Sequence, residues 1–293
     1  MPRRFSSGRT KSFFEIVRAK SITENRKVFC MGKELLEKRF GQMGARIKIS
    51  EVVPNRRNPI GINIRADKNG EFFDIKMNAA EPVDYEVVDL RPDLRHLLLI
   101  ERREASKNKF LCGHDERHWF VCAVPGNNVS NVETAMEALQ PVDVRSEISR
   151  KLKRRKNRFT RRNEVFVRQG EWFFVPVEGL KVNPHLIFRN EPINRGRGQS
   201  HFCEEVYRDG GIAVMVCNRR PSGVTVEEYN RLLKSNADAA SWNWRPMRRD
   251  ATVYARGRVR HPDHKTIVLD GWHRVLMNTE NEAPGMSSVV FLD

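Results

Sequence analysis

Apolar residues recur at two different periods along this chain, and the changes of period mark its elements. Across residues 26–41, Val28, Phe29, Leu35, Leu36 and Phe40 fall near a 3.6-residue spacing, with Lys33, Lys38 and Arg39 on the other side. That pattern predicts an amphipathic helix closed by Gly41. Beyond it the period drops towards two. Residues 45–53, 60–66, 70–77 and 85–90 read as strands, followed by 96–102, 109–114 and 118–124. Asp67-Lys68-Asn69-Gly70 separates two of them with residues that tolerate the positive φ of a tight hairpin.

Helical spacing then returns. Ser130-Asn131-Val132-Glu133 has the form of a capping box and opens a helix to about Leu139, ahead of Pro141; a second helix is expected over 142–155. The last 131 residues repeat the strand-rich style, with strands at 164–168, 171–177, 185–189, 211–217, 253–260, 265–269 and 271–277. One further helix starts at the capping box Thr225-Val226-Glu227-Glu228. Strands in runs, about twelve of them with about four helices, predict an α+β fold built mainly of antiparallel sheet. The expected organisation is a basic N-terminal arm at 1–25, an α+β lobe at 26–149, a basic linker or helix extension at 150–162, and a second α+β lobe at 163–293. Trp119-Phe120 and Trp172-Phe173 both sit on strands ending at a Pro, which admits two similar strand-rich lobes.

Charge sharpens this picture. The net charge is +16, and it is segregated: +11 in residues 1–66, −6 in 67–149, +9 in 150–162 and +2 in 163–293. A field of that sign attracts polyanions. No stretch approaches the roughly 20 apolar residues of a membrane span, and no apolar run follows the basic N-terminus as in a secretory signal. Five widely spaced cysteines without a C-x-x-C pair argue against a zinc ribbon and predict reduced thiols in a cytoplasmic protein.

Four groups of residues carry candidate chemistry. Arg3, Arg4, Arg9 and Lys11 in the arm, Lys151, Lys153, Arg154, Arg155, Lys156, Arg158, Arg161 and Arg162 in the basic run, and Arg195 and Arg197 in a Gly-Arg loop are the expected phosphate contacts. In Cys112-Gly113-His114-Asp115-Glu116-Arg117-His118, His114, Glu116 and His118 are the candidates for acid–base or metal-assisted hydrolysis. His261-Pro262-Asp263-His264 places two imidazoles at the ends of one turn, where they are candidate ligands of a divalent metal. Ser241-Trp242-Asn243-Trp244-Arg245 combines aromatic and basic residues suited to base stacking, or to pinning a loop. The loop at 194–201 is neither a Walker loop nor a dinucleotide fingerprint, and neither H-E-x-x-H nor G-x-S-x-G occurs.

The leading expectation is a nucleic-acid-binding protein, accessory rather than catalytic. It would grip DNA or RNA by the phosphate backbone with little sequence preference. The rivals are a metal-dependent nuclease or other hydrolase built on the histidines, and a structural or assembly protein of a phage or ribonucleoprotein particle.

Overall fold

A computed structural model describes residues 32–55, 59–80, 83–104, 106–152, 155–194 and 199–288. Among them are sixteen strands and four helices, an α+β architecture of several mainly antiparallel sheets. The described residues of Met1–Ala135 and Glu280–Leu292 make one compact unit, and those of Met136–Thr279 make a second. No helix among the described residues is long and apolar enough to cross a membrane.

The first unit opens on helix α1, residues 32–42. Leu36, Phe40 and Met43 turn inward, whereas Leu35, expected on the apolar face, is exposed. The helix runs past Gly41. Gly44 takes the left-handed position (φ 82°), and Gly44 and Ala45 donate back to the Gly41 and Phe40 carbonyls. This is the C-terminal arrangement that glycine makes inexpensive. Val28 and Phe29 lie outside the described residues. Strands β1 (Ile47–Val52), β2 (Gly61–Asp67) and β3 (Gly70–Asn78) form a sheet in the order β1-β3-β2, in which β1 runs parallel to β3. Strands β4 (Asp84–Arg91), β5 (His96–Arg103), β6 (Ser106–Asp115) and β7 (His118–Ala123) make an antiparallel meander. Phe40, Ile62, Phe73, Ile75, Leu97, Leu99 and Phe110 fill one continuous core.

A buried polar network crosses the meander. The Glu101 side chain is fully buried and accepts from the Tyr85 hydroxyl at 2.8 Å, from Arg103 at 3.0 Å and from Asn108 at 2.7 Å. Burial pushes its carboxyl up, but these donors outweigh burial and hold it below the ordinary carboxylate range.

In helix α2 (Val132–Ala138) the cap is Asn131, whose side chain accepts from the Thr134 amide; Ser130, the expected cap, instead donates its own amide to Thr134. Glu133 pairs with Arg91 rather than reaching back to the cap.

The second unit contains helix α3 (Val142–Lys151), which ends at Lys151 and not at 155. Its six-stranded sheet has the order β10-β11-β15-β16-β9-β8, with β8 (Val167–Gln169), β9 (Trp172–Pro176), β10 (Phe188–Ile193), β11 (His201–Asp209), β15 (Thr252–Arg260) and β16 (Ile267–Met277). Period two on β9 sends Phe174 to a core with Cys203, Val206 and Val259, and Phe173 to a core with Val144, Ile148 and Phe166 from the α3 side. A smaller sheet, β13-β12-β14, comprises β12 (Ile212–Cys217), β13 (Arg220–Thr225) and β14 (Arg245–Arg249). Helix α4 (Val226–Ser235) follows β13 and opens at the expected Thr225–Glu228 capping box, with both reciprocal bonds made. The two units share strand content and differ in strand order. Cys112, Cys203 and Cys217 are buried thiols, and burial pushes Cys203 up to about 12.

Replacing Arg103 by Met leaves the Glu101 carboxylate buried without its cation. The expected cost is about 3 kcal/mol in urea unfolding at pH 7. Because the folded carboxyl titrates below its unfolded value of about 4.3, the stabilisation is complete above that pH and fades as pH falls through the lower folded value. The deficit of the variant therefore shrinks in acid.

Candidate nucleic-acid interface and histidine cluster

The split into two units also splits the charge. Residues 136–279 hold 28 Lys+Arg against 16 Asp+Glu, so this unit carries +12 of the chain's +16. Many of its arginines are matched. On the six-stranded sheet Glu205 takes Arg189 and Arg256, Glu204 takes Arg258, Glu191 takes Arg208, and Arg260 bonds Asn190. Strand register puts these partners opposite one another: Glu205 pairs with Arg256 across β11–β15 and with Arg189 across β10–β11.

The basic run is matched less completely. Arg150 and Lys151 share one carboxylate, Glu147, at 2.6 and 3.4 Å. Arg158 reaches Glu137 only at 3.9 Å, and Arg162 donates to the Val268 carbonyl at 2.7 Å. Arg161 is half-buried, and its carbonyl accepts from the Arg168 amide. Arg3, Arg4, Arg9, Lys11, Lys153, Arg154, Arg195 and Arg197 lie outside the described residues, as do the side chains of Arg155 and Lys156.

The smaller sheet presents a different surface. Trp242 and Trp244 stack with centroids 5.9 Å apart, and Trp244 meets Tyr229 of α4 edge-on at 5.1 Å. The left-handed Asn243 (φ 53°) joins the two tryptophans, and the Trp244 indole N–H donates to the Ala239 carbonyl at 2.7 Å. Both rings remain half-exposed, and the Arg219 guanidinium lies 4.8 Å over Trp242. On the same small sheet Arg220, Arg245 and Arg248 are exposed, and none of the three belongs to an ion pair among the described residues. Arg248 instead donates to the Gly210 carbonyl. Trp244 thus acts as the anchor of the loop, while Trp242 with Arg219 forms its outward aromatic-cationic face. The three-residue alternation Trp-Asn-Trp was visible in the sequence; the participation of Arg219, at the other end of the subdomain's chain, was not.

His114, Glu116 and His118 surround the tight β6–β7 hairpin turn, where Glu116 is left-handed (φ 49°). His118 Nδ1 lies 2.7 Å from a Glu71 oxygen, and the other Glu71 oxygen accepts the Trp119 amide at 2.9 Å. His114 packs edge-on against Trp119 at 4.9 Å; burial, then the charge of Arg95, pushes it below the ordinary histidine value. Among the described residues the histidines brought together are instead His201, His261 and His264, whose ligand nitrogens all lie within 4.8 Å of one another and whose rings lie roughly parallel.

Two of those were expected from the turn itself, whose rings stand 4.7 Å apart. His201 comes from the start of β11. Phe202 pairs with Arg260 across β11–β15, so the next step of the register sets His201 against His261, and the rings stack at 4.2 Å. His201 is 1% exposed, and neither ring nitrogen has a hydrogen-bond partner among the described residues. Each such buried group costs about 1–3 kcal/mol. Burial, followed by the two neighbouring imidazoles, pushes His201 down to about 3. The Asp263 amide donates to His261 Nδ1 at 3.1 Å, and the charges of Asp263 and Glu171 are felt at that ring. From the β8–β9 turn, Gln169 Nε2 donates to the Lys265 and Val259 carbonyls that flank the two turn histidines, at 2.8 and 3.3 Å.

Comparison with protein-family models, with curated proteins and with solved structures finds no match to this chain.

Substituting Trp244 by Phe keeps the ring packing but removes the indole bond to the Ala239 carbonyl, which retains only the Trp242 amide at 3.3 Å. The expected loss is about 1 kcal/mol, read from the urea midpoint of the full chain.

Proposed function

We propose that this chain is a nucleic-acid-binding protein that grips the phosphate backbone through its second unit and stacks exposed bases on the Trp242–Arg219 face. The observation that carries the reading is the excess of +12 in residues 136–279, together with the Arg219 guanidinium over Trp242 and, on the same small sheet, exposed arginines outside any ion pair among the described residues. Cations held together in this way repel one another until an anion neutralises them, and a polyphosphate does so while releasing its condensed counterions. Stacking is tolerant of base identity because every base has a π-face. The reading therefore includes little sequence preference, in either DNA or RNA. Lys151, Arg158, Arg161 and Arg162 extend the cationic surface along the basic run.

The second reading, a metal-dependent nuclease or other hydrolase, rests on His114, Glu116 and His118 of the first unit, with His261 and His264 of the second as further candidates.

Fluorescence anisotropy with labelled single-stranded DNA and RNA oligonucleotides tests the proposal. The logarithm of the affinity is expected to fall linearly with the logarithm of salt, with a slope of several units. Arg245→Glu and Arg248→Glu each lower that slope by about 1, and Trp242→Ala weakens binding by about 1–3 kcal/mol with the slope unchanged. A salt-independent signal, or wild-type affinity in all three variants, overturns it.

A further inference from the structure

Three imidazoles share a small volume at the end of β11 and in the β15–β16 turn, and the way they are held is not that of a packed aromatic core. Both nitrogens of His201 are buried without a hydrogen-bond partner among the described residues, although the ring lies against two other histidines. Core histidines normally donate one nitrogen and accept at the other. A second buried acceptor, the Gln169 side-chain carbonyl, is likewise unpartnered, and Gln169 is the residue whose amide clasps the turn bearing His261 and His264. Beside it, the backbone of Gly170 lets two of the imidazoles come close. A Cβ there would stand 2.9 Å from His264 Nε2 and 3.3 Å from His201 Nε2, so both nitrogens lie on the glycine side of the cluster and a larger residue would displace them. The left-handed φ of 57° at Gly170 independently favours glycine in this hairpin turn.

We propose that His201, His261 and His264 form a three-imidazole site for a zinc-class divalent ion, set beside Gly170, with the remaining coordination position open to water or another small ligand. Neutral imidazole suits late first-row metals such as zinc, and three protein ligands with one open position is a recurrent zinc arrangement. In a tetrahedral site the nitrogens stand about 3.3 Å apart. The spread of up to 4.8 Å seen here closes by rotation of the side chains, with no change in the β11–β15 register. His261 gives up a bond on binding the ion, since its ring now accepts from the Asp263 amide and also bonds the Gln199 backbone. The ion fills the valence that His201 leaves unmet. The carboxylates of Asp263 and Glu171, whose charges act on His261, add attraction for a cation.

This site is independent of the nucleic-acid reading and is tested on the full chain without any oligonucleotide. The protein is stripped with chelator, and zinc is titrated in competition with a chromogenic chelator; cobalt(II) titration supplies a second, spectroscopic readout. The expected result is one zinc per chain and the visible absorption of a tetrahedral cobalt(II) centre. His201→Gln and His264→Gln should each weaken zinc at least about 100-fold, beyond the loss that outer-shell changes cause. His118→Gln, in the other unit, should leave it unchanged. Circular dichroism of each variant establishes that it is folded; if His201→Gln unfolds, the half-buried His264→Gln decides the question alone. Absence of stoichiometric zinc, or unchanged affinity in folded His264→Gln, overturns the proposal.

Discussion

Repulsion between like charges is the constraint around which the second unit is arranged. It holds twelve more positive than negative side chains, and the sheet register settles where the few carboxylates can help. Glu191, Glu204 and Glu205 lie on β10 and β11, so the arginines of β10, β11 and β15 are matched across neighbouring strands. The small β13-β12-β14 sheet has no comparable row. Its acidic residues Glu227 and Glu228 serve the start of α4, where Glu228 closes the capping box and is held below its ordinary value by the Thr225 amide. On that sheet Arg249 pairs with Asp250 at 3.6 Å, whereas Arg220, Arg245 and Arg248 belong to no ion pair among the described residues. The proposed interface is thus a consequence of how a limited supply of carboxylate is distributed by the fold.

The histidine cluster follows the same logic at shorter range. A buried donor or acceptor without a partner costs more than most surface contacts contribute, and His201 and the Gln169 carbonyl are such groups, as are the Trp172 indole nitrogen and Arg158 Nε of the same unit. Three separate segments meet there: the β8–β9 turn, the first residue of β11 and the β15–β16 turn. Their meeting depends on the curl of the six-stranded sheet, which lets Gln169 on β8 bond the carbonyl of Val259 on β15 although β16 and β9 stand between them in strand order.

Period and turn chemistry carried the fold class, most strands of the first unit and the α4 capping box, because each depends on neighbours in the chain. Elements that break local rules were not legible. β11 contains Glu204-Glu205, and a register shift between Cys203 and Glu205 interrupts its alternation. β13 carries a Pro and a Gly, β14 is Arg-Pro-Met-Arg-Arg, and both are held by pairing to β12. The β1–β3 pairing is parallel, a long-range choice that period two does not encode. At the candidate sites, His261 and His264 were visible as a turn motif, whereas His201, some sixty residues earlier, required the β11–β15 register. Arg219 became part of the tryptophan face only once the small sheet was folded.

Hydrogen–deuterium exchange of the full chain, with and without a single-stranded oligonucleotide at low salt, locates the ligand directly. The account predicts slowed exchange over residues 212–249 and 150–162 that reverts at high salt. Protection confined to residues 32–135, or none at all under saturating oligonucleotide, contradicts it.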